Sequence, residues 1–121
     1  MKNIFITLVL LILIGCHNPS APIVNEISPV TEADLASGVL YEANIRQYSP
    51  EGTFNAFAKD LPKLSKLGVK FLWLMPINPI STTKSKGPLG SYYAVSDYTG
   101  VNPEFGTLED LKSLVNQAHK L

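Results

Sequence analysis

Between Gly90 and Gly106 the chain reads Gly-Ser-Tyr-Tyr-Ala-Val-Ser-Asp-Tyr-Thr-Gly-Val-Asn-Pro-Glu-Phe-Gly. Tyr92, Tyr93, Tyr98 and Asp97 are its chemistry-bearing residues. The stretch has no helical period and only fragments of strand alternation, so it reads as an ordered loop. Structureless segments of that length are uncommon in compact domains and are often functional. Aromatic rings held on a loop above a rigid scaffold suit a flat, hydroxyl-rich ligand such as a sugar. The ring faces cover the C–H surface while nearby polar groups bond the hydroxyls. The same composition also fits a satellite apolar cluster beneath a long loop, and composition does not choose between the two.

The second residue with chemistry is Cys16, the single cysteine of 121 residues. It has no internal disulfide partner. Lys2 supplies a short positive region, and Ile4 to Ile14 is apolar except for Thr7. That core is short for a bilayer-spanning helix and fits a signal peptide. It ends Leu13-Ile14-Gly15-Cys16, which resembles a bacterial lipobox. The resemblance implies a diacylglycerol on the Cys16 thiol, cleavage before Cys16, and a protein held at the cell envelope by lipid, facing periplasm or exterior. Acyl chains contribute about 0.8 kcal/mol per buried CH₂, so several of them anchor firmly. Residues 1–15 are therefore expected to be a lipoprotein signal peptide. Residues 16–36, with Asn-Pro-Ser-Ala-Pro and Ser-Pro, read as a flexible tether running extended to about Leu35. The globular part is expected over residues 37–121. Formal net charge is zero and no basic block occurs, which argues against nucleic acid as a partner. His17 and His119 stand alone, with no metal-ligand spacing.

The elements that must carry the loop alternate strand and helix. Val39 to Tyr48 reads as a strand, with Tyr41, Ala43 and Ile45 on one face and Glu42, Asn44 and Arg46 on the other. If that polar face points into a barrel, Glu42 and Arg46 need partners, expected on other strands, because an unpaired buried charge is costly. Ser49 to Gly52 reads as a turn. Thr53 caps a helix whose stripe is Phe54, Phe57, Ala58, Leu61, Leu64 and Leu67. Pro62 breaks it near Leu61, opening a second piece that ends at Gly68 in a left-handed conformation. Val69 to Met75 is a near-continuous apolar run, expected as a strand buried on both faces of a parallel sheet, with Trp73 in the core. Strand, crossover helix and strand make a right-handed βαβ unit. Thr107, with Asp110 as a capping-box variant, starts a last helix with the stripe Leu108, Leu111, Leu114, Val115, Ala118 and Leu121.

Residues Gly68 to Pro79, Gly-Val-Lys-Phe-Leu-Trp-Leu-Met-Pro-Ile-Asn-Pro, resemble the second barrel strand of the α-amylase superfamily, glycoside hydrolase family 13. Tyr93 to Tyr98, then Val101 to Thr107, resemble the loop that follows that strand, and Val39 to Phe54 is similar to the first strand and turn. The resemblance implies an α/β fold, the first two β/α units of a (β/α)₈ TIM barrel with its site at the C-terminal strand ends. It implies a retaining α-glycosidase acting on α-glucans such as starch or maltodextrins. That chemistry needs two carboxyls about 5 Å apart, because one attacks the anomeric carbon directly. In the family these follow the fourth and fifth strands, and a further Asp follows the seventh. No position here matches them, so no catalytic residue is carried over, and this stretch alone is expected to be inactive. The resemblance makes Tyr93 the ring that stacks on the sugar beside the cleaved bond, and Asp97 a structural residue bonding backbone. Some exo-acting relatives place an Asp where Gly90 stands, so Gly90 favours endo action. No cofactor is visible; calcium, common in the family, is expected to have its ligands beyond Leu121. The alternative is a non-catalytic glucan-binding surface lipoprotein with a truncated barrel.

Overall fold

The computed structural model describes residues 29–121. The expected signal peptide, the expected lipidation of Cys16 and most of the expected tether lie outside the described residues.

The chain enters through α1 (Glu32–Ser37). Thr31 Oγ1 accepts from the Asp34 amide at 3.2 Å, and the Asp34 carboxylate accepts from the Thr31 amide at 3.0 Å. This reciprocal cap satisfies two otherwise free donors, so a stretch expected to be extended turns helical. β1 (Val39–Ala43) follows and is shorter than expected. Asn44 Oδ1 accepts from the Gln47 amide at 3.3 Å, capping α2 (Ile45–Tyr48), and the extended run ends there. Arg46 therefore stands on a helical turn rather than on a strand.

α3 (Phe54–Ala58) and α4 (Leu61–Lys66) are the broken helix expected around Pro62. Thr53 Oγ1 accepts from the Ala56 amide at 3.2 Å, and Pro62 lies in the first turn of α4. Gly68, at φ +85°, ends the pair in the left-handed region. Leu61 and Leu64 are buried but Leu67 is exposed, against expectation. Residues three apart slip back about 60° around the helix at each step, and Leu67 has drifted off the buried face.

β2 (Val69–Leu74) pairs parallel with β1, Tyr41 opposite Leu72, Glu42 opposite Trp73, Ala43 opposite Leu74. The crossover through α3 and α4 makes the predicted βαβ unit. α5 (Leu108–Ala118) closes the set, with the expected Thr107–Asp110 capping box. Asn55 Nδ2 also donates to Asp110 Oδ1 at 2.8 Å, tying α3 to α5.

The core lies on one face of the two strands. Ala43, Ile45, Phe54, Phe57, Ala58, Leu61, Leu64, Phe105 and Leu114 are buried together. Leu72 and Leu74 pack against them. Because side chains alternate along a strand, Leu40, Glu42 and Trp73 fall on the opposite face. There Leu40 is 54% and Trp73 57% exposed. The expectation of a strand buried on both faces, with Trp73 in the core, does not hold within these residues. Glu42 is exposed and needs no buried partner. Of the α5 stripe only Leu114 is buried; Leu108, Val115 and Leu121 are exposed, the main contact of α5 being with α3.

Candidate functional site

The loop leaves β2 through Pro76 to Pro79 and is held against that exit segment. The Asn102 amide donates to the Ile77 carbonyl at 2.7 Å, and the Ser81 amide to the Ala94 carbonyl at 2.7 Å. The Ser96 amide and hydroxyl both reach the Pro79 carbonyl, at 2.9 and 3.1 Å. Ile80 and Val95 form an antiparallel bridge. Asn78, half-buried between the two prolines, donates from Nδ2 to the carbonyls of Tyr98 and Gly100 at 3.2 and 3.0 Å. Satisfying backbone carbonyls in this way gives a long loop a single conformation.

Its far end is anchored in the core. Asn102 is buried, its Oδ1 accepting from the Glu104 amide at 3.0 Å. Phe105 is buried and meets Phe54 edge-on, with ring centroids 6.1 Å apart. Its carbonyl accepts from the Phe54 amide at 2.9 Å.

Arg46 joins the two ends. Nη2 pairs with Glu104 Oε2 at 2.8 Å, Nη1 donates to the Leu89 carbonyl at 3.3 Å, and the guanidinium lies 4.7 Å from the Tyr92 ring centroid. The expectation of partners on other strands is corrected: Arg46 is paired by the loop, because the strand stops before it.

The three tyrosines divide. Tyr92 packs against the core cluster. Tyr93 is 65% and Tyr98 81% exposed. The packing reading of the loop composition thus holds for Tyr92, while Tyr93 and Tyr98 present their rings to solvent. Tyr93 is held through its amide, which donates to Ser91 Oγ at 3.3 Å, and its side chain makes no hydrogen bond among the described residues. Asp97 accepts from the Thr99 hydroxyl at 2.7 Å and the Thr99 amide at 2.8 Å. The hydroxyl first and the amide second hold its carboxyl below the ordinary value of 3.8. Asp97 thus bonds backbone, as expected. Gly90 sits at φ +65°, and a Cβ there would stand 2.9 Å from Ile80 Cγ2. The backbone disfavours any side chain at that position.

Asn78 was not singled out from the sequence. The only signal was an amide side chain between two prolines at a strand end, where the backbone must turn. Among the described residues no group of three or more His, Cys, Asp or Glu side chains stands together to hold a metal. A cavity of about 610 Å³ forms an apolar groove along α4, β2 and α5, and no residue of the Gly90–Gly106 loop lines it.

Residues 26–121 match the family described as alpha amylase, catalytic domain. The chain belongs to that family. Its second strand and the loop after it are the segments that carried the resemblance, and both stand in the structure in the expected order. The crystal structure of an alpha-amylase from Lactobacillus plantarum superposes with a TM-score of 0.68 at 47% identity, covering 69% of this chain and 20% of that one. A noncanonic maltogenic alpha-amylase from Thermotoga neapolitana gives 0.65 at 40%, with the same coverages. Among curated relatives, the alpha-amylase SusG of Bacteroides thetaiotaomicron is 43% identical over 68 residues, 56% of this chain and 9% of its own length. Malto-oligosyltrehalose trehalohydrolase of Deinococcus radiodurans is 36% identical over 96 residues, 75% of this chain and 15% of its own. The chain thus spans less than a fifth of the length of these curated relatives. β1 and β2 with their helices are the first two β/α units of the alpha-amylase barrel.

Proposed function

We propose that this chain is the N-terminal part of an α-amylase-type retaining glycoside hydrolase that cleaves α-glucosidic bonds in starch or maltodextrins. Tyr93 supplies the ring on which a glucose unit stacks. The observation that carries the reading is the exposed Tyr93 ring on a loop pinned at Asn78 and Arg46. A platform of that kind is presented without further ordering cost. The names of the relatives support the substrate class: alpha-amylases, alpha-1,4-glucan:maltose-1-phosphate maltosyltransferases and a malto-oligosyltrehalose trehalohydrolase are among them, and one alpha-amylase was solved with acarbose. Gly90 supports endo action, since no carboxylate stands there to grip a chain end. Hydrolysis itself falls to a carboxylate pair outside the two β/α units, spaced about 5 Å apart for retention. Asp97 is not proposed as one of that pair: its Oδ1 accepts from both the amide and the hydroxyl of Thr99, a structural role.

The Leu-Ile-Gly-Cys ending of the apolar core supports an envelope location, with Cys16 lipidated and the enzyme facing periplasm or exterior. Mass spectrometry of membrane-extracted protein is expected to find diacylglycerol on an N-terminal Cys16. A mature N-terminus elsewhere removes the anchor.

The full-length protein is expected to release reducing sugar from soluble starch, internal cleavage preceding release of small products. Release only from chain ends refutes endo action. Maltodextrin binding with no cleavage refutes the hydrolase reading in favour of a glucan-binding surface lipoprotein.

A further inference from the structure

We propose that Arg46 is a positioning residue for the sugar-stacking loop: its guanidinium clamps the loop at three points and so fixes where the Tyr93 ring stands. The proposal rests on the function proposed for Tyr93. The start of the loop is held by the bond from Nη1 to the Leu89 carbonyl at 3.3 Å. The middle is held by the Tyr92 ring, 4.7 Å from the guanidinium carbon. The end is held by Glu104 at 2.8 Å and by the Phe105 ring at 5.7 Å. These contacts come to one side chain that is only 16% exposed.

The ion pair is not the main effect. Glu104 is 61% exposed, and a pair so open to water contributes little. What distinguishes the site is a planar cation with aromatic rings within reach and its edge donating to a main-chain carbonyl. Only arginine combines flat stacking with several edge donors; a lysine ammonium does one or the other. Tyr92 is the immediate neighbour of Tyr93. Holding the Tyr92 ring against Arg46 leaves Tyr93 as the outward ring, which is the division of burial observed. Arg46 itself follows β1, so the clamp references the loop to the first strand as well as to the second, where Asn78 holds it.

The test compares wild type, Arg46→Lys, Tyr92→Leu, Tyr93→Ala and the double variant Arg46→Lys/Tyr93→Ala in the full-length protein. The readouts are amide hydrogen exchange over residues 89–96 and KM and kcat on maltodextrin. Arg46→Lys keeps the charge and is expected to raise exchange at the Ala94 and Ser96 amides, which are bonded to the Ser91 and Pro79 carbonyls, about tenfold, the scale of one desolvated cation–π contact. KM is expected to rise by a similar factor, and Tyr92→Leu is expected to mimic both changes. In the Tyr93→Ala background Arg46→Lys should cost nothing further, because the group it positions is gone. A merely structural Arg46 would lower the active fraction, hence kcat, and leave KM unchanged. Additive effects of Arg46→Lys and Tyr93→Ala, or unchanged exchange in Arg46→Lys, overturn the clamp. If the wild type cleaves no maltodextrin, the functional reading fails while the exchange contrast still decides whether Arg46 holds the loop.

Discussion

Replacing Tyr93 with Ala separates binding from folding more cleanly than any other change in this loop. The ring is 65% exposed, and the residue's recorded bond is made by its amide, which Ala retains. Exposed positions of that kind shift stability by about 0.5 kcal/mol or less. A glucose face covering roughly 60 Å² of the ring, at about 25 cal/mol per Å², gains about 1.5 kcal/mol, and the sugar's own C–H face adds a similar amount. Ring polarisation and imperfect overlap work in opposite directions, leaving about 1–3 kcal/mol of transition-state binding. That corresponds to a fall in kcat/KM of about 5- to 150-fold. Tyr93→Phe keeps the ring face and is expected to retain most of the activity. The assay is steady-state cleavage of maltodextrins by the full-length protein, with a urea melt of each variant alongside. Unchanged kcat/KM in Tyr93→Ala refutes the stacking role. A loss of activity that tracks a loss of stability refutes it equally, because the ring would then be packing rather than binding.

The remaining expectations concern what holds the scaffold. Asn78→Ala deletes two bonds to loop carbonyls, at 3.2 and 3.0 Å, and is expected to cost about 1–3 kcal/mol in a urea melt, with faster amide exchange around Tyr98; unchanged exchange there would assign the loop's order to its backbone bonds alone. Burial first, then the 2.8 Å bond to Asp60, pushes the Tyr48 phenol from 10.0 up to about 12. A folded value above the unfolded one means that the stability contributed is complete below pH 10 and is lost as pH rises towards 12. Tyr48→Phe should therefore flatten the alkaline limb of the stability profile, and ultraviolet titration that finds Tyr48 ionising at 10.0 would contradict this. Residues 29–121 produced as a separate polypeptide are expected to associate or unfold, since Leu40 and Trp73 leave an apolar sheet face uncovered. Trp73 is the single tryptophan, so its emission separates the two outcomes: water-like if the piece unfolds, blue-shifted and concentration-dependent if it associates through that face, whereas a cooperative monomeric melt with a buried-type spectrum would refute the point.

Local signals in the sequence were reliable where the physics is local. Thr53, Thr107 and Gly68 act within one helical turn, and each stands where its cap or left-handed turn requires. Pro62 breaks the helix because the clash it causes is with its own preceding turn. The errors came where a distant or neighbouring element decides. Ile45 continues the apolar alternation of β1, yet Asn44 caps a turn there and ends the strand. Leu67 keeps a spacing of three, which drifts off the face, and Trp73 belongs to a strand whose second face is uncovered within residues 29–121.

The loop shows the same division within one motif. Asp97 bonds a residue two positions away, and its structural role follows from spacing that short. Arg46 bonds residues 43 and 58 positions away, and Asn78 bonds residues 20 and 22 away. No periodicity encodes such contacts, since they exist only once β1 and β2 lie side by side. The need for a partner was legible at Arg46 because a shielded charge without one is costly, but the identity of the partner was not. Tyr92 and Tyr93 are the sharpest instance: adjacent residues of one type, one packed inward and one exposed. Their division accompanies the contact of Tyr92 with Arg46, so what leaves the Tyr93 ring outward is encoded as much in the first strand's neighbour as in the loop itself.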